Sequence, residues 1–381
     1  MPTRPSRRPR LERLWRGDPK PIHHLLAFPL RGAAGIFRGT LAARNLWWRW
    51  RASEAGVPVI SIGNLTVGGN AKTPFTLFLA MRLHARGLRV AIVSRGYSGA
   101  RNSASATLVS DRGEVILDPA LAGDEPAMMA RRFTGPIAVA RRRIGAIELL
   151  RSRGPLDVII LDDGFQHARL RRDLDLVLIS RERGLGNGWM LPAGPMREPL
   201  SALRRAAAVV IVSADATLKS ALSAAQLARI NQGRVFTAAL HPQSLISVAN
   251  GNWCESSPSL TGRRVLAVSG LADPAAFHAM LRDLEADLVG VLDFPDHHPY
   301  TAADWQEIAS AARDVDLIVT TEKDLVKLER FPFARDSLYA LRLEVTMPEA
   351  DARALDELIL ARIRSSNAGA AAAQEVSRDA R

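Results

Sequence analysis

A glycine-rich segment, Gly63-Asn64-Leu65-Thr66-Val67-Gly68-Gly69-Asn70-Ala71-Lys72-Thr73-Pro74, follows the apolar run Val57–Ile62 and opens a helical stretch, Pro74–Ala85. That is the setting of a phosphate-binding loop. Glycines let backbone N–H groups close around phosphate oxygens, and the helix amino terminus adds the positive end of its dipole. Gly63, Thr66, Gly68, Gly69, Asn70, Ala71, Lys72 and Thr73 are the candidate nucleotide contacts. Lys72 would reach the β- and γ-phosphates, and Thr73 would hold Mg²⁺. The strict pattern has glycine where Thr66 and Ala71 stand. A plain strand-to-helix turn would look the same.

The second signal is DVIILDDGFQH, Asp157–His167, an apolar strand that ends in two acids. Asp162 and Asp163 fall at its carboxyl end, which in open α/β sheets is the ligand-facing edge. A carboxylate there commonly coordinates Mg²⁺ in phosphate-loop enzymes. Asp-Asp-Gly is also an ordinary turn. Loop, Lys-Thr, strand and acids, in that order and about 90 residues apart, point to an ATP- or GTP-dependent enzyme.

The elements that must position these groups alternate. Apolar β-rich runs at Val57–Ile62, Arg89–Ser94, Ile137–Ala140, Asp157–Leu161, Leu174–Ser180 and Ala207–Ser213 are separated mostly by helical stretches. Continuous apolar strands alternating with helices predict a parallel sheet covered on both faces. A second series has strands at Arg264–Ser269, Leu288–Leu292 and Asp316–Thr320, with helices at Ala275–Leu284 and Ala302–Ala312. The expected fold is α/β: a phosphate-loop NTPase-like, mostly parallel sheet, a smaller α/β domain and an amino-terminal amphipathic helix. The expected divisions are a disordered basic arm (1–20), an interfacial helix (21–52), a phosphate-loop domain (53–225), a smaller domain (226–364) whose last helix packs back on the first, and a disordered tail (365–381).

Composition narrows the class. The chain has 381 residues, 47% hydrophobic and 24% charged, which excludes wholesale disorder. One cysteine, Cys254, excludes an internal disulfide and a four-cysteine zinc site, and fits a reducing compartment. The net charge is +12, of which +10 lies in the first 51 residues. The main body is therefore no nucleic-acid binder by charge, and the amino terminus is a basic arm. Within it Leu26, Leu30, Phe37, Leu41 and Trp48 recur at roughly helical spacing, with Arg31, Arg38, Arg44 and Arg49 between them. No apolar run approaches the roughly 20 residues needed to span a bilayer. Trp47-Trp48-Arg49-Trp50 suits the headgroup boundary, so an interfacial helix with a kink at Pro29 is expected. The alternative is a helix packed on the protein's own core.

GNLTVGGNAKTP, SRGY (94–97), GDEP (123–126), LDDGFQH (161–167), LPAGPMREP (191–199), FPDHH (294–298) and TTEKD (320–324) stand in the order found in the tetraacyldisaccharide 4′-kinase family, which the sequence resembles over roughly residues 25–345. The resemblance implies transfer of the ATP γ-phosphate, with Mg²⁺, to the 4′-hydroxyl of a tetraacylated glucosamine disaccharide 1-phosphate in lipid A biosynthesis. It also implies a peripheral enzyme on the cytoplasmic face of the inner membrane; a monomer is favoured. It assigns the acceptor's base to Asp124, paired with His297, alongside Lys72. It makes Glu125, Asp162 and Asp163 metal candidates with Thr73, and Arg95, Gln166, His167 and Glu198 supporting residues. Family members usually carry glycine where this chain has Ala71. Read without the family, Asp124 is an ordinary helix start, His297 a surface loop residue, and Thr320–Asp324 a helix cap. A metallochaperone-type GTPase, or a membrane-docked binding protein with a vestigial nucleotide site, are the alternative readings.

Overall fold

Most buried strands are apolar runs bounded on at least one side by glycine, proline or charge, and many of the stretches between supply crossover helices. A computed structural model describes residues 3–4, 15, 21–69, 71–96, 105–214, 220–230, 234–249, 251–256, 258–331 and 337–379, with backbone alone for 3–4, 21–27, 227 and 368–379. The strands are β1 (Val59–Asn64), β2 (Val90–Ser94), β3 (Thr107–Asp111), β4 (Glu114–Val115), β5 (Ile137–Val139), β6 (Val158–Asp162) and β7 (Leu174–Ser180). They continue as β8 (Ala208–Ser213), β9 (Val235–Ala249), β10 (Asn252–Ser256), β11 (Arg264–Ser269), β12 (Asp287–Asp293), β13 (Leu317–Thr321) and β14 (Leu338–Thr346). Helices are α1 (Pro21–Arg49), α2 (Lys72–Ala85), α3 (Pro119–Ala122), α4 (Asp124–Ala130), α5 (Arg143–Arg153) and α6 (Ala224–Ile230). They continue as α7 (Ala275–Asp283), α8 (Ala302–Ala311), α9 (Glu322–Leu328) and α10 (Glu349–Asp379).

With Thr3–Arg4 beside β12, these strands join one sheet in the order β12-β11-β13-β14-β9-β8-β7-β1-β6-β2-β5-β3-β4, and β10 pairs with β9. The pairs around β1, β6 and β7 are parallel and in register, Val59 opposite Ile159 and Ile60 opposite Leu174. Their carboxyl ends therefore lie side by side, and the segments after β1 and β6 meet there.

The sheet does not break between its halves. Val235–Ala239 of β9 runs parallel to Val209–Ser213 of β8, and Ala239–Ile246 runs antiparallel to Thr346–Ala340 of β14. This strand, Val235–Ala249, starts just past residue 225, where the division between domains was expected. Pro242 argues against a strand in a sequence reading, but the pairing shifts between Pro242 and Ser244 and absorbs it.

Two terminal segments differ from expectation. Leu30, Phe37 and Trp48 of α1 turn towards the body; Leu30 and Phe37, with the buried Ala34 and Leu41, pack on a core that includes Phe165, Val177 and Met196. The stripe read as a membrane face is thus largely an internal one, because helical spacing alone does not say what an apolar face covers. The side chain of Leu26, and residues 1–2, 5–14 and 16–20 of the arm, lie outside the described residues. Residues 365–379, expected to be disordered, continue α10, as an alanine-rich run with high helix propensity allows.

Helix α10 returns to the first half of the chain. Its Leu355, Ile359 and Ile363 are buried, and its almost fully buried Asp356 accepts two bonds from Arg82 Nε at 2.9 Å and one from Arg86. Replacing Asp356 by alanine strands Arg82 of α2 and Arg86 just after it, and should destabilise the protein by about 1.5–3 kcal/mol, measured by urea unfolding.

Candidate active site

The phosphate loop is built by close approach. A Cβ on Gly63 would collide with the Cβ of Phe165, so glycine lets the turn after β6 cross the end of β1. The next residues pair with the LPAGPMREP segment: Val67 N–H donates to Pro195 O at 2.8 Å and Arg197 N–H to Leu65 O at 2.7 Å. Thr66 is buried and bridges Met196. Gly68 lies at φ 98°. Ala71 precedes α2 at φ 53°, ψ 28°, in the left-handed region, where alanine costs about 1 kcal/mol or more that glycine would not. Asn70 lies outside the described residues, and Thr73 is buried in the first turn of α2.

The two acids after β6 face different ways. Asp163, itself at φ 49°, lies 3.5 Å from Lys72 Nζ and accepts from Arg197 at 3.0 and 3.2 Å. Burial works to raise its carboxyl, but the Lys72 and Arg197 charges outweigh that and hold it below the ordinary range. Asp162 is buried and accepts from Thr76 Oγ1 at 3.1 Å. Burial, with the Glu125 and Asp163 charges, pushes it up to about 7.

A carboxylate crowded by other carboxylates and set among hydroxyls, those of Thr76 and Ser94, is a hard-oxygen environment that suits Mg²⁺. Among the described residues no three His, Cys, Asp or Glu side chains form a metal cage. Magnesium bound through phosphates, waters and one or two carboxylates needs none.

Glu125 connects this centre to a second one, because its neighbour Asp124 also stands in the first turn of α4. Gly123, at φ 91°, takes the N-cap position, so Asp124 is not the cap. Its Oδ2 meets His297 Nδ1 at 3.1 Å and accepts from Lys327 Nζ at 3.0 Å. Lys323 Nζ lies 3.4 Å from His297 Nε2 and 2.6 Å from Asp296 Oδ1. Burial would raise the Asp124 carboxyl; the hydrogen bond from His297 and the Lys327 and Lys323 charges overcome it and leave the carboxyl lowered. The Asp124 hydrogen bond holds His297 above its ordinary value against burial and Lys323.

The supporting candidates scatter. Gln166 Nε2 donates to Asn64 O at 2.8 Å, beneath the phosphate loop. His167 is driven down to about 3 by burial and by the charges of Arg143, Arg172, Arg169 and Arg95. Glu198, fully buried, is held by Arg205 at 2.7 Å through both oxygens.

Arg197, Lys323 and Lys327 were not foreseen. Arg197 adjoins a residue that was. Lys327 follows Asp324 by three positions, one helical turn, and so shares its face. The TTEKD segment is also a cap, since Thr321 Oγ1 accepts from Asp324 N–H at 3.1 Å.

Comparison with known proteins bears on this arrangement. The profile of the family described as tetraacyldisaccharide-1-P 4′-kinase matches residues 26–364. A tetraacyldisaccharide 4′-kinase from Anaeromyxobacter sp. (strain Fw109-5) is 42% identical over 347 residues, covering 88% of this chain and 92% of that protein. One from Geobacter metallireducens is 39% identical over 315 residues, covering 81% and 90%. The solved "apo" form of LpxK from Aquifex aeolicus in complex with ATP superposes with a TM-score of 0.72 at 29% identity, covering 89% of this chain and 99% of that one.

The Asp124–His297 pair sets a pH window. A lowered carboxyl contributes stability above its unfolded value of 3.8 and loses it as pH falls through the folded one. A raised imidazole contributes fully below 6.5 and loses it as pH rises through the folded value. The stability lost in His297→Ala should therefore be largest between about pH 4 and 6.5 and shrink above that; urea unfolding across pH 4–9 measures it.

Proposed function

The chain belongs to the tetraacyldisaccharide 4′-kinase family and is an ATP-dependent lipid A 4′-kinase, and we propose the following roles for its residues in the transfer. The reaction moves the γ-phosphate of ATP to the 4′-hydroxyl of tetraacyldisaccharide 1-phosphate, giving the 4′-phosphorylated lipid A precursor. The observation that carries the residue assignment is the Asp124–His297 contact at 3.1 Å, with Glu125 next in sequence acting on the Asp162 carboxylate.

Lys72 leaves Asp163 for the transferring phosphate, while Arg197 keeps Asp163 anchored. Thr73 and Asp162, with Glu125 nearby, would hold Mg²⁺, which when bound neutralises charge on the phosphates. Asp124 orients the 4′-hydroxyl. As the hydroxyl oxygen bonds to the γ-phosphorus and the bond to the β–γ bridging oxygen breaks, Asp124 takes the hydroxyl proton and ADP carries off the electron pair. A weakly basic carboxylate suffices, because the proton leaves late in a loose transition state. His297, donating Nδ1–H to Oδ2, keeps Asp124 aimed.

The lipid substrate gives the outer face of α1 a purpose. Phe28, Ile36, Leu46, Trp47 and Trp50 are exposed, Trp50 at 83%, and Arg51 lies 3.8 Å over the Trp47 ring. Trp189, 4.6 Å beneath Arg31, extends the patch. Among the described residues no helix is long and apolar enough to cross a membrane. We read this face as resting at the headgroup boundary on the cytoplasmic side of the inner membrane.

Two experiments test these roles. With labelled ATP, Mg²⁺ and lipid in detergent micelles, the wild type should make labelled 4′-phosphorylated lipid, and Lys72→Ala and His297→Ala should each lose about 10²-fold or more in rate. Phosphate release without lipid product would point instead to a hydrolase. Trp47→Ser/Trp50→Ser should weaken sedimentation with anionic phospholipid vesicles while leaving turnover in micelles near wild type.

A further inference from the structure

The turn after β7 brings an arginine to the phosphate loop that the roles above do not use. Glu182 fixes this turn: it accepts from Ser180 Oγ, Ser213 Oγ and Ala214 N–H, each at 2.8 Å. Arg183 N–H donates to Ser180 Oγ at 3.2 Å, and Gly184, at φ 53°, closes the turn against Ala221. The Arg183 guanidinium lies over the loop, with Nη1 3.1 Å from where a Cβ on Gly68 would stand. Nη2 reaches the other half of the chain, 3.1 Å from Asp273 Oδ2. Asp273 sits between β11 and α7, and its side chain is mostly buried while that of Arg183 is a third exposed.

A planar guanidinium fork binds carboxylate and phosphate through the same donors. A carboxylate engaged with an arginine that overhangs a phosphate loop therefore occupies donors that an incoming phosphate would use. We propose that Arg183 is a further ATP phosphate-binding residue, and that Asp273 is its partner in the nucleotide-free enzyme, displaced when ATP arrives. Nucleotide binding then exchanges one ion pair between the halves for an arginine–phosphate contact. The turn fixed by Glu182 keeps the Arg183 backbone beside the loop, so the guanidinium can change partner by side-chain rotation alone.

The test is ATP affinity by isothermal titration calorimetry with Mg²⁺ and no lipid. Arg183→Ala should bind ATP about tenfold more weakly or worse, as loss of a charged hydrogen-bond donor predicts. Asp273→Asn, which frees the guanidinium without changing the shape of the side chain, should bind about two- to tenfold more tightly. A strut between halves predicts that both substitutions weaken binding. Unchanged affinity in Arg183→Ala, or unchanged or weaker affinity in Asp273→Asn, overturns the proposal. Asp273→Asn decides alone if Arg183→Ala does not fold. The inference rests on ATP being the nucleotide; wild-type-like ATP binding by Lys72→Ala counts against that reading, not against the opposite signs predicted here.

Discussion

The Asp124 carboxylate is supplied by one half of the chain and neutralised by the other. A buried carboxylate with no counter-charge would gain a proton. Here His297 and Lys327 both approach the same oxygen, Oδ2. Much of the remaining architecture serves to bring those cations across.

Helix α9 does most of this, short as it is. Lys323 and Lys327 point at His297 and Asp124. Glu322, on the same helix, accepts from Arg132 at 3.1 Å and from Arg342 at 2.9 Å. Glu329, just beyond it, accepts from Arg131 at 2.8 Å and from the Trp253 indole at 2.6 Å. Arg131 and Arg132 directly follow α4, the helix that begins with Asp124. The two helices are thus held at both ends, and several partly buried charge pairs acting together fix a geometry better than one exposed pair does. The unbroken sheet through β9 limits how far the halves can part.

Backbone strain gathers at the same place. Of the five non-glycine residues with positive φ among those described, Ala71, Asp163 and His297 belong to the phosphate loop, the turn after β6 and the Asp124 pair. Strained residues persist where surrounding contacts over-determine them. The Lys72 and Arg197 contacts do this for Asp163, and the bond to Asp124 does it for His297. Ala71 has no polar side-chain contact of this kind, only the packing of its methyl on the core, and carries the strain that glycine there would avoid.

The sequence by itself determined the parallel α/β sheet, the phosphate loop and the two acids after β6, because strand hydrophobicity, glycine spacing and chain order are local properties. Its motifs also picked out Asp124 and His297, though only through resemblance, since each alone reads as a helix start and a loop residue. Tertiary structure decided what chain order leaves open. It separated Asp162, buried beside carboxylates, from Asp163, paired with Lys72 and Arg197. It gave Lys323 and Lys327 their targets more than 20 and about 200 residues away. It turned the inner stripe of α1 onto the core, leaving Trp47 and Trp50 outside. Charge pairing and face selection depend on which surfaces meet, and that is settled when the strands take their order in the sheet.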